Sequence, residues 1–471
     1  MSISVIGKLL KDFPFEPTSG QTELFTLLEN FLLDKEPKRS VFMLKGYAGT
    51  GKTTTISTLV NNLISFGYKS VLLAPTGRAA KVMSNYSKRR AYTIHKKIYH
   101  ATSDAYSGKL VFERQRNLHK TTIFIIDEAS MIGNESEFGS KSLLHDLLEY
   151  VFEEPSNKLI LVGDAAQLPP VGLNYSPALD GKYLKENFNL SIVEIELTEV
   201  TRQQAESGIL FNATKLRKVL TSEKELISFK TKGFKDVYKM TGEKLEDGLL
   251  YAYKKYGYEN TIILSRSNKT AVQYNEYIRR QIKFTENEID AGDLLMIVKN
   301  NYNVLDEDSP AGFLANGDFV EVLKIIRFEE MHGFRFADVK LRLTDYEEQA
   351  PFEAKIFLDT LHSSTPALSR EEDNRLYESV VKDYFDIKSK KERNEKIRKD
   401  KFLSALQVKF AYALTCHKSQ GGQWQAVFVD QGYITEENIN TEFVRWLYTA
   451  CTRASEELFL MNFNERFFEG V

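Results

Sequence analysis

The feature that most constrains the fold is a glycine-rich stretch, GYAGTGKTT, at residues 46–54. It fits the phosphate-binding pattern GxxxxGK[ST], and it stands between the apolar run VFMLKG and the run TTTISTLVNNLIS, which has helical apolar spacing. Strand, loop and helix in this order are the context in which the pattern binds phosphate, because loop N–H groups and the helix N-terminus point at phosphate oxygens. The sequence therefore predicts a nucleoside triphosphate site.

Roles within this loop follow from side-chain chemistry. Lys52 is expected to reach the β- and γ-phosphates, and the Thr53 hydroxyl is expected to ligate Mg²⁺. The predicted nucleotide-binding residues of the loop are Gly46, Ala48, Gly49, Thr50, Gly51, Lys52, Thr53 and Thr54.

Length and composition exclude several classes of protein. A chain of 471 residues is long enough for about three or four folded units. Its two cysteines, Cys416 and Cys451, are far apart and favour neither a disulfide framework nor a zinc site. No apolar run approaches the roughly 18 residues of a membrane span, and the N-terminus lacks the features of a signal peptide. We expect a soluble, cytoplasmic protein without a membrane partner.

The net charge of −2 hides an uneven distribution. Residues 78–120 hold eleven Lys and Arg against two acids, together with Tyr86, Tyr92, Tyr99 and Phe112. Basic residues interleaved with aromatic rings are typical of a groove for single-stranded nucleic acid. A solvated charged face is the alternative interpretation.

Two further apolar strands end in polar residues. TTIFIIDEASM ends in Asp127-Glu128, a pair that in a P-loop enzyme holds Mg²⁺ through its water shell and polarises the attacking water. KLILVGDAAQLPPV places Gln167 where an amide can sense a γ-phosphate. Together with SVLLAPTGRAAKVM, these strands alternate with helical stretches. The pattern predicts a parallel sheet with ligand at its carboxyl edge.

A second α/β sheet is predicted from residues 261–282, 411–430 and 444–461, which have no phosphate loop of their own. This half offers arginines instead: Arg202 in LTEVTRQ and Arg453 in YTACTRA. An arginine that reaches a γ-phosphate across a cleft stabilises transition-state charge. For either residue alone, a surface salt bridge is the alternative.

The ordered motifs GYAGTGKTT, APTGRAA, YTIHK, DEAS, GDAAQLPPV, LTEVTRQ, LTCHKSQGGQW and YTACTRA resemble those of superfamily 1 helicases. They most resemble the RecD-like and Dda-like branch, which translocates 5′ to 3′. The resemblance extends from about residue 15 to about residue 460. It implies an α/β fold with two RecA-like P-loop domains, ATP and Mg²⁺ between them, and single-stranded DNA across their tops.

The resemblance also assigns roles to residues. Gln21 matches an adenine-reading glutamine. The implied catalytic set is Lys52, Asp127, Glu128, Gln167, Arg202 and Arg453, with Thr53 and Asp127 at the metal. The positions that match DNA-facing residues are Thr76, Thr93, His95, Phe112, Thr415, His417 and Lys418. Hydroxyl, imidazole and ammonium groups suit phosphate contacts that carry no base information. Some relatives carry an aromatic ring where this chain has Gly77.

Two insertions complete the predicted organisation. Residues 84–116 are expected to form a β-hairpin pin, in which Phe112 stacks on DNA, although it could be an ordinary hairpin residue. Residues 284–405 contain short strands between Gly, Asn and Asp turns, which predict an SH3-like β-barrel, followed by a charged, solvated helical arm over 369–401. The predicted core domains are 1–83 with 117–200, and 201–283 with 406–471.

From these features we expect an ATP-dependent, 5′-to-3′ DNA helicase that acts on single-stranded and forked DNA. It is expected to be a stand-alone monomer, with a single-strand-binding protein as a candidate partner. An RNA-stimulated helicase or ATPase of the same superfamily is one alternative, because phosphate contacts do not distinguish the sugars unless a 2′-OH is read. A nucleotide-gated clamp that does not unwind is the other, although the predicted pin favours unwinding.

Overall fold

The computed structural model describes residues 4–36, 38–103, 110–134, 142–201, 206–222, 226–306, 309, 311, 313–346 and 348–470, with backbone alone at 101–103 and 110–112. Its α-helices are α1 (Val5–Asp12), α2 (Ser19–Leu33), α3 (Lys52–Asn62), α4 (Gly77–Ser87), α5 (Ile94–Ile98), α6 (Leu143–Val151), α7 (Gly181–Phe188), α8 (Gly208–Thr221), α9 (Leu245–Tyr256), α10 (Asn268–Tyr277), α11 (Arg370–Lys382), α12 (Lys390–Arg398) and α13 (Thr441–Cys451).

The β-strands assemble into two parallel sheets, a barrel and a hairpin. They are β1 (Ser40–Gly46), β2 (Lys69–Ala74), β3 (Ala91–Thr93), β4 (Tyr99–Ser103), β5 (Leu110–Arg114), β6 (Thr122–Ile126), β7 (Lys158–Gly163), β8 (Ser191–Leu197), β9 (Val237–Met240), β10 (Thr261–Ser265), β11 (Leu294–Ile297), β12 (Phe319–Met331), β13 (Phe334–Leu343), β14 (Phe352–Phe357), β15 (Leu406–Phe410), β16 (Ala413–Thr415), β17 (Trp424–Asp430) and β18 (Ala454–Met461).

The first unit is built on the sheet β3-β2-β6-β7-β1-β8, in which every neighbouring pair is parallel. The strands β6 and β7 are buried along their whole length, as expected where helices cover both faces of a parallel sheet. Because all six strands run the same way, their carboxyl ends meet at one edge. The predicted parallel sheet is confirmed.

The predicted insertion 84–116 begins too early. Ala91–Thr93 pair in parallel with Leu72–Ala74, so β3 is an edge strand of the first sheet. Ile94 and Ile98 are fully buried in the core beneath it. Burial of these apolar side chains outweighs the basic residues around them and draws this stretch into the unit. The antiparallel pair of β4 and β5 alone forms the hairpin.

The second unit is built on the sheet β16-β10-β17-β18-β9, again with parallel neighbours. Phe428 and Phe459 stack on adjacent strands, with ring centroids 4.3 Å apart. The helix α13 buries Trp446, Leu447 and Tyr448, and it packs against α8. The second predicted sheet is therefore confirmed, and no phosphate loop follows its described strands.

A closed barrel of β11, β12, β13, β14 and β15 lies between β10 and β16 in the chain, in agreement with the predicted SH3-like insertion. The predicted boundary at 405 is wrong, because β15 (Leu406–Phe410) belongs to the barrel. This strand pairs antiparallel with β11 and parallel with β14, and all five of its residues are buried. Without it, β11 and β14 would both be open edges.

The stretch 369–401 is helical and mostly exposed, as predicted, but its first helix is docked on the barrel rather than wholly solvated. It forms two helices, α11 and α12, and α11 begins with a capping box between Ser369 and Glu372. Leu376 and Val380 lie four residues apart, so they share one helical face, and both are buried against Phe334 and Phe336 of the barrel. These two apolar residues, with the hydrogen bonds of Asp373 and Ser379 to Gln407 and His332, dock the helix on the barrel. The other domain boundaries stay predictions.

A buried asparagine fixes the passage from the barrel into the second sheet. Asn275 Nδ2 donates to Ala413 O at 2.9 Å, and its Oδ1 accepts from the N–H groups of Tyr412 and Ala413 at 3.0 and 2.8 Å. One side chain therefore satisfies three backbone groups where β15 gives way to β16.

In the described part of the chain, no helix combines the length and the apolar character that a bilayer span requires.

We predict that Asn275→Ala lowers the free energy of unfolding by more than about 2 kcal/mol, because each buried backbone group left unpaired costs about 1–3 kcal/mol. Urea denaturation followed by tryptophan fluorescence measures this, since Trp424 and Trp446 both lie in the second unit. Asn438→Ala, which removes an exposed amide, is the control and should change stability by less than about 0.5 kcal/mol. Equal midpoints for the two variants would contradict the assignment.

Candidate nucleotide site and strand-binding face

A cavity of about 430 Å³, here called the nucleotide cavity, lies between the carboxyl edge of the first sheet and the second unit. The phosphate loop contributes one wall, and residues 452–455 contribute the opposite wall. Of the predicted catalytic residues, it brings together Lys52, Asp127, Glu128, Gln167 and Arg453. Arg202 lies outside the described residues, so its predicted role stays a prediction.

The phosphate loop follows β1 and leads into α3. Gly51 has φ +84°, and a Cβ there would lie 2.4 Å from Gln21 Nε2, so both conformation and space require glycine. Gly46 ends β1, Ala48 to Thr50 form the turn, and Thr53 and Thr54 stand in the first turn of α3. Lys52 Nζ donates to the carbonyls of Gly46 and Tyr47, at 2.6 and 2.9 Å. The ammonium is thus folded back onto its own loop, within reach of a phosphate held there.

The acid pair follows β6. Asp127 accepts one hydrogen bond from the Tyr86 hydroxyl at 2.8 Å and another from the Glu128 N–H at 2.9 Å. Glu128 has φ +52°, a left-handed conformation that is uncommon for a residue other than glycine. Burial raises the pKa of its carboxyl group, and the nearby Arg453 acts against that rise. A carboxylate with a raised pKa suits a general base.

The side chains in the nucleotide cavity also fit Mg²⁺. Thr53 and Asp127 both line it, and hydroxyl and carboxylate oxygens are the ligands that this ion prefers. Within the described ranges, no group of three or more His, Cys, Asp or Glu could hold a metal by itself. Mg²⁺ commonly takes one or two protein ligands and completes its shell with water and substrate phosphates.

Gln21 stands at the opening of a second cavity, of about 800 Å³, which shares Gly51 and Thr54 with the nucleotide cavity. Its Nε2 donates to Thr50 O at 3.1 Å, and its Oε1 accepts from Thr18 N–H at 3.0 Å. Gln21 therefore also caps α2. The same cavity is lined by the half-exposed ring of Phe15, which sequence reasoning missed although it stands in the run FPFEPTSGQ that precedes the glutamine.

Arg453 reaches the cavity from the second unit. Its guanidinium is 3% exposed and donates to the carbonyls of Thr449 and Gly422, at 3.1 Å each. Its Nη1 lies 3.9 Å from Glu128 Oε1. The arginine is therefore held in place by its own unit and faces the acid pair of the other.

Of the predicted DNA-facing residues, Thr76 lies where the two units meet. Thr76 caps α4 through Ala79 N–H, and Thr93 caps α5 through Lys96 N–H, each at 3.2 Å. Thr415 ends β16, and the loop that follows carries His417 and Lys418 and reaches α4 at Gly421. A Cβ on that glycine would lie 2.7 Å from Ala79 Cβ and 3.1 Å from Thr76 Oγ1.

The remaining candidates differ in what surrounds them. Burial lowers the pKa of Lys418 to about 8, and its Nζ has no hydrogen-bond partner in the described part of the chain. Burial also lowers the pKa of His417. The His95 ring lies 5.8 Å from that of Tyr99. Phe112 is paired through its backbone with Ala101, and its side chain lies outside the described residues.

The glycine at position 77 has a steric cause that sequence reasoning could not find. A Cβ on Gly77 would lie 2.0 Å from Asp318 Oδ1, at the start of the barrel strand β12. Asp318 is buried, its Oδ2 accepts from Ala315 N–H at 2.7 Å, and its Oδ1 has no hydrogen-bond partner among the described residues. Burial raises the pKa of this carboxyl group to about 7. The barrel thus packs onto the first turn of α4.

The fold and the nucleotide cavity define a P-loop nucleotide-binding protein with two RecA-like units. Two family models match it, an AAA domain over residues 31–228 and a UvrD-like helicase C-terminal domain over residues 410–461. In this order of models, the chain is similar to the superfamily 1 helicases of the RecD and Dda type.

Several named proteins are similar to the chain. It is 27% identical over 321 residues to the ATP-dependent DNA helicase dda of Enterobacteria phage T4, covering 65% of this chain and 67% of that protein. It is 32% identical over 181 residues to the ATP-dependent RecD2 DNA helicase of Deinococcus radiodurans, covering 38% and 22%. An uncharacterized protein of Acanthamoeba polyphaga mimivirus is 27% identical over 515 residues, covering 92% and 98%.

Among solved structures, a Pif1 helicase from Bacteroides in complex with ADP-AlF3 and ssDNA is 16% identical, with a TM-score of 0.49, covering 97% of this chain and 95% of that one.

We predict that Asp318 makes a contribution to the free energy of unfolding that falls as pH rises from about 4 to about 7. The pKa of this carboxyl group is about 7 in the fold against 3.8 ordinarily, so the folded state binds its proton more tightly over that interval. Its contribution is fully present below pH 3.8 and is lost as pH rises through about 7.

Denaturant unfolding of the wild type and of D318N, at pH values from about 5 to about 7.5, tests this contribution. The free energy of unfolding of the wild type should fall relative to that of D318N as pH rises, since other titrating groups affect both proteins alike. D386N, which changes an exposed carboxylate, is the control and should follow the wild type. Parallel curves for the wild type and D318N would show that Asp318 is not the group responsible.

Proposed function

We propose that the chain is an ATP-dependent DNA helicase that translocates 5′ to 3′ on single-stranded DNA and separates the strands of forked DNA. The observation that carries this proposal is the shared nucleotide cavity, in which Arg453 of one unit stands 3.9 Å from Glu128 of the other. Because both units line the cavity, a bound nucleotide can change how they sit together, and hydrolysis can become motion. The names of the dda and RecD2 relatives support ATP and DNA as the substrates.

The proposed chemistry divides between the two units. Lys52 leaves the two loop carbonyls for the β- and γ-phosphates, and Glu128 accepts the proton of the attacking water. Thr53 and Asp127 would hold Mg²⁺, which when bound would supply positive charge at the phosphates. Tyr86 and the Glu128 N–H orient the Asp127 carboxylate. Arg453 stabilises the charge that develops on the γ-phosphate, with Gln167 nearby as the sensor.

The strand path is proposed to follow the N-termini of α4 and α5 and the loop after β16. Thr76 and Thr93 lie on the first unit, and Thr415, His417 and Lys418 lie on the second, so both units would grip one backbone. A buried ammonium without a partner, as at Lys418, is costly until an anion pairs with it. A phosphate supplies that anion. Arg202 and Phe112 keep their predicted roles as proposals.

We predict that Lys52→Ala lowers ATP turnover at least about 10²-fold, because it removes one preorganised group that stabilises charge on the phosphates. The measurement is steady-state phosphate release with saturating single-stranded DNA. Lys69→Ala, which removes an exposed lysine of the same unit, is the control and should leave turnover unchanged. Near-normal turnover by the Lys52 variant would show that this loop is not the catalytic one.

We predict that single-stranded DNA stimulates the ATPase, and that duplexes with a 5′ tail are unwound while those with a 3′ tail are not. Strand separation is measured on matched DNA substrates and, in parallel, on RNA, with the Lys52→Ala variant as the inactive control. Stimulation by RNA alone would favour the RNA-stimulated alternative. DNA binding that responds to ATP without strand separation would favour the clamp. Unwinding from a 3′ tail would refute the proposed direction.

A further inference from the structure

A tyrosine of the second unit forms hydrogen bonds inside the phosphate loop of the first. Tyr448, on α13, is fully buried. Its hydroxyl accepts from the Ala48 N–H at 2.9 Å and donates to Asp164 Oδ2 at 2.5 Å. Ala48 belongs to the loop whose N–H groups hold phosphate, and Asp164 directly follows β7. One hydroxyl thus joins two strand ends of the first sheet to a helix of the second unit.

The neighbouring contacts show that the second unit holds the whole turn around Gln167. Thr449 Oγ1, one residue beyond Tyr448, accepts from Leu168 N–H at 2.9 Å, and Gln420 Nε2 donates to Leu168 O at 2.7 Å. Asp164 itself accepts from Ala166 N–H at 2.9 Å. Gln167 lies inside this turn, 6% exposed, and its Oε1 has no hydrogen-bond partner in the described part of the chain.

We infer that Tyr448 is a positioning residue that couples γ-phosphate binding to the placement of the second unit. This inference rests on the proposed function, since it concerns the same nucleotide cavity. The Ala48 N–H can donate either to the Tyr448 hydroxyl or to a phosphate oxygen. When phosphate takes it, the hydroxyl keeps Asp164 but loses its bond to the loop, and α13 is released from the phosphate loop on that side.

The alternative is that Tyr448 is a packing residue, and that its hydroxyl bonds to Ala48 and Asp164 contribute to stability alone. The chain offers a matched control for that alternative. Tyr412 is also fully buried, and its hydroxyl also accepts from a backbone N–H, that of Leu294 at 3.1 Å, and donates to a carboxylate, that of Asp293 at 2.9 Å. Tyr412 lies between the barrel and the second sheet, away from the nucleotide cavity. Its loss should cost stability alone.

The test compares the wild type, Y448F and Y412F in two measurements. The first is tryptophan fluorescence on titration with a non-hydrolysable ATP analogue without DNA, with analogue binding measured separately by calorimetry. Trp446 lies two residues from Tyr448 on the same helix, so it reports movement of α13. The second is the ratio of single-stranded DNA affinities with and without the analogue, for which couplings of about 5–150-fold are typical.

Y448F should bind the analogue at least as tightly as the wild type, because phosphate no longer displaces a hydroxyl from Ala48. Its fluorescence response and its DNA coupling ratio should nevertheless fall at least about fivefold, since the hydroxyl that links loop and helix is gone. In steady state, kcat should fall while KM for ATP does not rise. Y412F should retain the wild-type response in each measurement.

Equal responses from Y448F and Y412F would overturn the inference, and so would a wild type that binds the analogue without any fluorescence change. Failure of the proposed function gives a different result. In that case the wild type would bind nucleotide but show neither DNA-stimulated ATPase nor strand separation, and the fluorescence comparison would still decide the role of Tyr448.

Discussion

The structure depends on one constraint: the backbone N–H groups of the phosphate loop must converge at the carboxyl edge of a buried sheet. The strand β1 lies between β7 and β8, with apolar residues on both faces, so its end is fixed by packing on two sides. A Cβ on Gly46, at that end, would lie 2.9 Å from Thr50 Oγ1. Because the neighbouring strands are parallel, Asp127 and Asp164, which follow β6 and β7, lie at the same edge of the sheet as the phosphate loop.

The second unit has no loop of this kind, and its contribution is made of side chains held by backbone carbonyls and buried helices. The carbonyls of Thr449 and Gly422 hold the Arg453 guanidinium in place. Tyr448, next to Thr449 on α13, contacts the phosphate loop. Fixing these groups in advance means that little reorganisation remains when phosphate charge develops. Their position depends on the packing of α13 rather than on the first sheet. Relative movement of the two units would therefore change the distances of Arg453 and Tyr448 from the phosphate loop and the acid pair.

The parts of this structure that could be predicted from sequence are local. The strand, loop and helix at 40–62 carry their periodicity and glycines in one short stretch, and the same holds for Asp127-Glu128 after β6. The sequence prediction places β15 in the wrong domain, because its pairing with β11 and β14 depends on closure of the barrel and not on nearby sequence. The docking of the arm on the barrel is not predicted, because two apolar residues, Leu376 and Val380, are a weak signal until the barrel surface that they contact is known.

The cross-unit contacts were beyond sequence reasoning for a related reason. Ala48 and Tyr448 are 400 residues apart, and nothing in the sequence near either residue indicates that they are in contact. The contact of Gly77 with Asp318 shows the limit clearly, since the glycine was visible as a departure from relatives while its cause was not. A carboxylate of the barrel occupies the space beside this glycine, so a methyl group there would force the Asp318 side chain or its surroundings to shift.

That close approach has an electrostatic consequence for the strand-binding face. The barrel sets the buried Asp318 against the first turn of α4, the helix that Thr76 caps, and the loop carrying Lys418 packs on the same turn. An anionic carboxylate and a DNA phosphate repel each other, whereas a protonated carboxyl group does not. The raised pKa of Asp318 therefore lessens the repulsion that the barrel would otherwise bring to this face. Under the proposed function, the basic groups of the two units would then pair with backbone phosphates rather than with a carboxylate of their own chain.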